Sequence, residues 1–252
     1  MGFVKAAIRR ALPSKFVTAY RNRREEALSR RDQRLSTEEV FTDIYSTNRW
    51  GGESGSFCSG SGSHDAAIVS PYVTHLTAHL ERLGAAAMTV VDLGCGDYAV
   101  GSRLSPHCGH YVGVDIVKPL VAYNQATFGT EKVSFRHLNI VDEALPAGDI
   151  CFVRQVLQHL SNEQITAVLP KLNQFRWCFV TEHHPSPGRL GRPNEDKPHG
   201  DRIRIGQRSG VFLEQPPFDI PDSRYRLLLE VPGTVAIDES DPGVIRTYLL
   251  TG

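Results

Sequence analysis

The sequence predicts an α/β fold: a doubly wound, mostly parallel sheet flanked by helices. Three observations point there. Short apolar runs of strand length alternate with segments of helical periodicity. The run Thr89-Val90-Val91-Asp92-Leu93 ends in a glycine turn, Gly94-Cys95-Gly96. The next run, Tyr111 to Val114, closes on an acid, Asp115, which follows Gly96 by 19 residues.

The 252 residues suffice for one large domain or for one domain with extensions; 40% are hydrophobic and 22% charged, an ordinary globular balance. The longest apolar runs fall far below the ~18 residues of a membrane span. The first residues alternate basic and apolar side chains, without the continuous apolar core of a signal peptide. Ala6 stands where a myristoylation signal has Ser or Thr. Five cysteines, an odd number without close pairing, indicate reduced thiols and a cytoplasmic address.

Charge is unevenly spread. Residues 1–35 hold ten basic and three acidic residues, a balance of +7, which leaves −7 on the remainder of a neutral chain. The expected division is therefore a basic helical arm, 1–35, on an acidic domain, 36–252. Phe3, Val4, Ala7, Ile8 and Leu12 suit one face of a helix over 3–12. Pro13 and Ser14 interrupt it, and a second helix runs from about 15 to 31. The arm is read first as an extension packed on its own domain or on a second subunit, so a homo-oligomer stays open. The other reading is peripheral contact with an anionic membrane on its inner face. Few aromatics and no binding motif argue against nucleic acid.

Thr37 to Tyr45 is expected as a helix capped by Ser36 or Thr37, with Val40, Phe41, Ile44 and Tyr45 as its apolar stripe. The glycine- and serine-rich stretch that follows lacks a P-loop ending. Leaving Trp50 and Phe57 loose would be costly, so residues 36–63 are read as a lid, with Trp50 covering a ligand. Ile68, Tyr72, Leu76, Leu80 and Leu83 space out a helix from about 64 to 83, stopped by Gly84.

The two glycines of the turn let backbone approach a ligand, and a helix N-terminus is expected to point at it. Asp115, at a strand end, has the geometry to accept two ribose hydroxyls. The third glycine of a dinucleotide fingerprint is missing after Gly96, where bulky Tyr98 is expected to fill part of the phosphate space.

Lys118 to Phe128 reads as a helix, Val133 to Leu138 as a third strand and Asp149 to Arg154 as a fourth. Ser161 with Gln164 forms a capping box. Trp177 to Glu182 is a fifth strand, with His183 and His184 just beyond its end. The proline- and glycine-rich residues 183–222 are expected to cap the acceptor side. Glu182, His183, His184, His199 and Asp201 lack metal-site spacing, so no metal is expected. Glu214-Gln215-Pro216-Pro217-Phe218 is read as a proline-shaped loop.

The Asp92-Leu93-Gly94-Cys95-Gly96 turn, Asp115 and the Leu157-Gln158-His159-Leu160 segment after the fourth strand resemble the class I S-adenosylmethionine (SAM) dependent methyltransferases. The resemblance implies a seven-stranded sheet, with Tyr225–Val231 and Val244–Leu250 as its antiparallel end. It implies SAM as cofactor, held by Trp50, Asp92, Gly94, Cys95, Gly96, Asp115, Ile116, Asn139, Ile140 and Gln155. Asn139 is either the acceptor for the adenine amino group or a simple turn residue. His159, His183 and His184, all at strand ends facing one cleft, are the candidate bases, and His159 is equally a loop-ordering residue. The Trp50 loop resembles a bacterial branch that accompanies surface-glycan assembly. That implies O-methylation of a sugar or another small hydroxylated acceptor. A small-molecule methyltransferase of secondary metabolism and a non-catalytic SAM-binding subunit are the alternatives.

Overall fold

Val90, Val91 and Leu93 are fully buried, as a strand covered on both faces requires. They belong to β1, Thr89–Leu93. In the computed structural model, which describes residues 27–28, 30–233 and 241–251, β1 pairs in parallel with β2, His110–Asp115, and with β4, Ile150–Arg154. β3, Val133–His137, lies beyond β2; β5, Trp177–His184, lies beyond β4. β7, Val244–Thr251, runs antiparallel to β5 and to the edge strand β6, Tyr225–Pro232. The order is β3-β2-β1-β4-β5-β7-β6. The sheet winds outward in both directions from β1. The switch point between β1 and β4 therefore opens a crevice at their C-terminal ends, where open α/β sheets bind ligands.

The chain divides into two compact units, Met1–Ser36 and Thr37–Gly252. In the first, residues 27–28 and 30–32 are helical; the helix expected over 3–12 and most of that over 15–31 lie outside the described residues. Among the described residues no helix is long and apolar enough to cross a membrane.

In the second unit, α1 is Thr37–Ser46, burying Val40, Phe41, Ile44 and Tyr45 as the stripe predicts. α2 is a single turn, Ser61–His64. α3, Ala66–Leu83, is capped at its start by Asp65, whose carboxylate accepts the Ala67 N–H. It ends at Gly84 in the left-handed conformation. α4 is only Gly101–Leu104, and α5 is Lys118–Phe128. α6, Asn162–Val168, begins with the predicted capping box, both of its hydrogen bonds formed.

Three expectations are corrected. The helix after the glycine turn is one turn long and starts at Gly101, so it aims no substantial helix dipole at a ligand. Tyr98 adopts φ 64° and turns its ring into the core, against Tyr111, Phe128 and Phe135, rather than into a phosphate space. β5 runs two residues past Glu182, because β7 pairs with it through His183↔Ile245 and His184↔Val244. Both histidines are thus buried strand residues.

The capping box also reaches α1, since Gln164 Nε2 donates to Thr37 Oγ1 at 2.9 Å. Ser161→Ala should lower unfolding free energy by about 1 kcal/mol, measured by urea denaturation. A Gln164→Ala variant, which loses both contacts, should lose more.

Candidate active site

The site is built on the elbow after β1. Gly94 and Gly96 take φ 72° and 55°. A side chain at Gly94 would run into Val156, so the loop after β4 is closely packed on the elbow. The Gly94 and Cys95 N–H groups continue the ladder to Val114 O at 2.8 and 2.9 Å. The Gly96 N–H instead donates to Asp115 Oδ2 at 3.0 Å, and Val117 N–H donates to Oδ1 at 3.0 Å. Asn124 Nδ2 holds the Gly96 carbonyl at 2.7 Å. Burial pushes the Asp115 carboxyl above its usual range, while the N–H groups of Val117, Gly96 and Ile116 oppose that shift.

One cleft, about 820 Å³ including its mouth, opens over this elbow. Gly94, Cys95, Gly96 and Asp115 form its floor; Ile116, Asn139 and Ile140 line one end, and Gln155 lines the wall from β4. Trp50, Phe41 and His159 make an aromatic wall: Trp50 stands 5.2 Å from the His159 ring and 6.0 Å from Phe41.

The lid is fastened down. Tyr45 and Ser59 share a 2.9 Å hydrogen bond between their hydroxyls, and Ser59 N–H donates to Asp97 Oδ2 at 2.8 Å. Arg154 NH2 donates to Gly62 O at 2.6 Å with its guanidinium over the Tyr72 ring. Gly62 has no side chain because Gln155 occupies the space where a Cβ would sit. Arg49 pairs with Asp43 at 2.9 Å and with Asp201 at 3.5 Å, joining lid to cap.

His159 lies on a loop gripped from both sides. Glu182 accepts the N–H groups of Val156, Leu157 and Gln158 at 3.3, 2.9 and 3.0 Å. Buried Arg204 donates to Gln158 O at 3.2 Å and to Leu160 O at 2.9 Å. Burial pushes the Glu182 carboxyl up to about 8, against those N–H donors and the nearby guanidinium. His159 Nδ1 lies 3.0 Å from Gly200 O, which assigns the proton to Nδ1 and leaves Nε2 as an acceptor. Burial, with Lys197 next, lowers the imidazole pKa to about 3, so the ring is neutral at physiological pH.

Nine of the ten expected cofactor residues line the cleft; Asp92 does not. Its carboxylate accepts the Tyr111 hydroxyl and borders a smaller cavity with Tyr72 and Arg154, beneath the elbow. Asn139 closes its own turn, Oδ1 accepting Val141 N–H at 3.0 Å and Nδ2 donating to Asp142 at 2.6 Å. One lone pair of Oδ1 remains for a ligand. The three histidines do not face one cleft. His183 Nε2 is held 2.8 Å from Pro242 O, and His184 packs between Phe212 and Tyr248 with both ring nitrogens unpartnered. Sequence reasoning missed Phe41 and Tyr45 as lining residues. The spacing of Phe41 and Tyr45 marks a buried helix face, but nothing in it marks a ligand wall.

The site suits SAM. Asp115 ends β2 beside the elbow, Ile116 and Ile140 give an apolar bed, and Arg154 lines the cleft with a buried Nε that has no hydrogen-bond partner.

A family profile described as a methyltransferase domain matches residues 90–175, about a third of the chain. No curated protein matches. Among solved structures, the chain is similar to 1,6-didemethyltoxoflavin-N1-methyltransferase of Burkholderia thailandensis, with bound 1,6-didemethyltoxoflavin and S-adenosylhomocysteine. Identity is 17%, coverage 85% of this chain and 87% of that one, and TM-score 0.54. It is similar to magnesium protoporphyrin IX methyltransferase of Synechocystis PCC 6803 with bound S-adenosylhomocysteine (15%, 86% and 99%, 0.53). Human N-acetylserotonin methyltransferase with SAM aligns at 16%, over 86% of this chain and 60% of its own, with TM-score 0.51. At these identities the likeness is one of fold.

The site generates a pH prediction. Burial raises Asp92 from 3.8 to about 7. A raised carboxyl contributes stability that is full below the unfolded pKa and is lost as pH climbs through the folded one. Stability from this group should therefore decline between about pH 4 and 7, by up to about 4 kcal/mol. Asp92→Asn, which keeps an acceptor for Tyr111, should flatten that decline in denaturation series across pH 4–8.

Proposed function

We propose that the chain is a class I S-adenosylmethionine-dependent methyltransferase and that it methylates a small hydroxylated acceptor held between the elbow and the Trp50 wall. The observation that carries this reading is the cleft itself: the Asp115 floor and the Trp50–Phe41–His159 wall bound one space. SAM, when bound, supplies a methyl group on a sulfonium. Asp115 would hold the ribose, Ile116 and Ile140 would flank the adenine, and Arg154 would meet the carboxylate. The chain's remaining task is to hold an acceptor oxygen in line and exclude water. Such positioning contributes roughly 7–11 kcal/mol.

Trp50 offers a flat apolar face on which a sugar ring or a planar ring can stack. This supports a sugar, or a comparable hydroxylated ring, as the acceptor. His159 Nε2, an acceptor on a neutral ring, has the Gln158 amide Nε2 as its donor at 3.4 Å; it would exchange that long contact for the acceptor hydroxyl's hydrogen bond and orient the hydroxyl's lone pair. With its pKa near 3 it works as an orienting acceptor more than as a strong base. His183 and His184 take no part, since they are buried away from the cleft.

Incubation of the chain with methyl-labelled SAM and a panel of sugars, phenols and amines tests the reading. Label should pass to hydroxyl oxygen; transfer to amines alone would overturn it. Asp115→Asn should weaken SAM at least tenfold, about 1.4 kcal/mol, by calorimetry. His159→Gln should cut kcat roughly tenfold or more with SAM affinity retained. Because the imidazole is already neutral across pH 5–8, the ratio of wild-type to His159→Gln turnover should stay flat there. A limb near pH 6.5 in that ratio would mean the ring titrates as an ordinary histidine.

A further inference from the structure

The lid meets the elbow through the Asp97 carboxylate. Asp97 Oδ2 accepts Ser59 N–H at 2.8 Å, and Oδ1 accepts Ala99 N–H at 3.1 Å. Asp97 N–H donates back to Ser59 Oγ at 2.8 Å. His64, the last residue of α2, sets Nε2 2.6 Å from Asp97 Oδ2. Cys58, one residue before Ser59, is a free thiol. A ligating atom from each of Cys58, His64 and Asp97 lies within 4.8 Å of the other two. Among the described residues no other group of His, Cys, Asp or Glu converges in this way.

We propose that Cys58, His64 and Asp97 form a binding site for a thiophilic divalent cation, zinc above all, which staples the lid to the glycine elbow. The donor set is one thiolate, one imidazole and one carboxylate. Sulfur and nitrogen select zinc over the oxygen-seeking magnesium and calcium. Zinc bonds of ~2.0–2.3 Å place tetrahedral ligands roughly 3.3–3.8 Å apart. The three atoms reach that spacing by shifts of about 1 Å, the 2.6 Å His64–Asp97 contact opening as the wider separations, up to 4.8 Å, close. His64, 47% exposed, and the Ser-Gly-Ser-Gly-Ser backbone after Cys58 can supply them. Asp97 is already oriented by the N–H groups of Ser59 and Ala99, the kind of outer contact that aims ligating carboxylates. Binding deprotonates the Cys58 thiol, its proton passing to solvent; His64 takes the tautomer with its proton on Nδ1, so that Nε2 ligates in place of its hydrogen bond to Asp97; water fills the fourth position. No ligand of this site belongs to the aromatic wall, so the inference stands apart from the acceptor reading.

The test is a zinc titration of the metal-stripped full chain, without SAM, by calorimetry. One zinc per chain with micromolar or tighter affinity is expected. Cys58→Ser and His64→Ala should each weaken it at least tenfold while circular dichroism shows the fold retained. Cobalt(II) in place of zinc should give a thiolate charge-transfer band that Cys58→Ser abolishes. No stoichiometric uptake, equal uptake by wild type and both variants, or cobalt bound without the thiolate band would each overturn the site.

Discussion

The Asp115 carboxylate is the constraint on which the rest of the site depends. It sits at the end of β2, yet its two oxygens take N–H groups from Gly96 and Val117, one on each side of the crevice floor. A buried carboxylate must find donors or give up its charge. Backbone N–H groups in tight turns must likewise find acceptors. The elbow and the start of α5 therefore satisfy each other through one side chain. The same geometry leaves lone pairs directed at the cleft. The group that shapes the floor is the group best placed to bind there.

A buried carboxyl and a buried guanidinium shape the acceptor side without touching. Glu182 binds the N–H groups of residues 156–158, and Arg204 binds the carbonyls of Gln158 and Leu160. The loop between them carries His159. Each buried group finds polar partners on the opposite face of one short loop, which lowers the desolvation cost of both. Arg204 belongs to the cap, so the cap and the His159 loop are set together. Arg49, bonded to Asp43 and Asp201, ties the lid to the same cap. The cleft is walled by parts that are distant in sequence and joined by buried hydrogen bonds and the Arg49 ion pairs.

Local signals were readable because they are local. β1 is a five-residue apolar run, the Ser161 capping box is a four-residue pattern, and Gly84 ends α3 by backbone freedom alone. Eight of the nine expected residues that line the cleft follow from strand ends and one turn, and Trp50 from the cost of leaving it exposed. What escaped depends on partners far along the chain. His183 and His184 resemble end-of-strand residues until β7, about 60 positions later, extends the ladder over them. Asp92 resembles a ligand residue until Tyr111 takes its carboxylate. Phe41 and Tyr45 serve two neighbours at once, the core and the cleft, and periodicity reports only the first.

Tyr98 shows why the crevice suits a cation. A left-handed conformation costs a residue with a side chain about 1–2 kcal/mol. Here three ring contacts and a 2.6 Å bond to Ser105 offset it. With the ring turned inward, side-chain bulk does not keep a pyrophosphate out. What is missing is the attraction. A pyrophosphate needs N–H groups and a positive helix end, and α4 offers one turn that begins five residues after Gly96. The elbow's own N–H groups are already given to Val114 and Asp115, and two carboxylates, Asp97 and Asp115, flank it. An elbow whose donors are spent and whose neighbours are acids repels phosphate and attracts positive charge. A sulfonium meets that condition, and a dinucleotide does not.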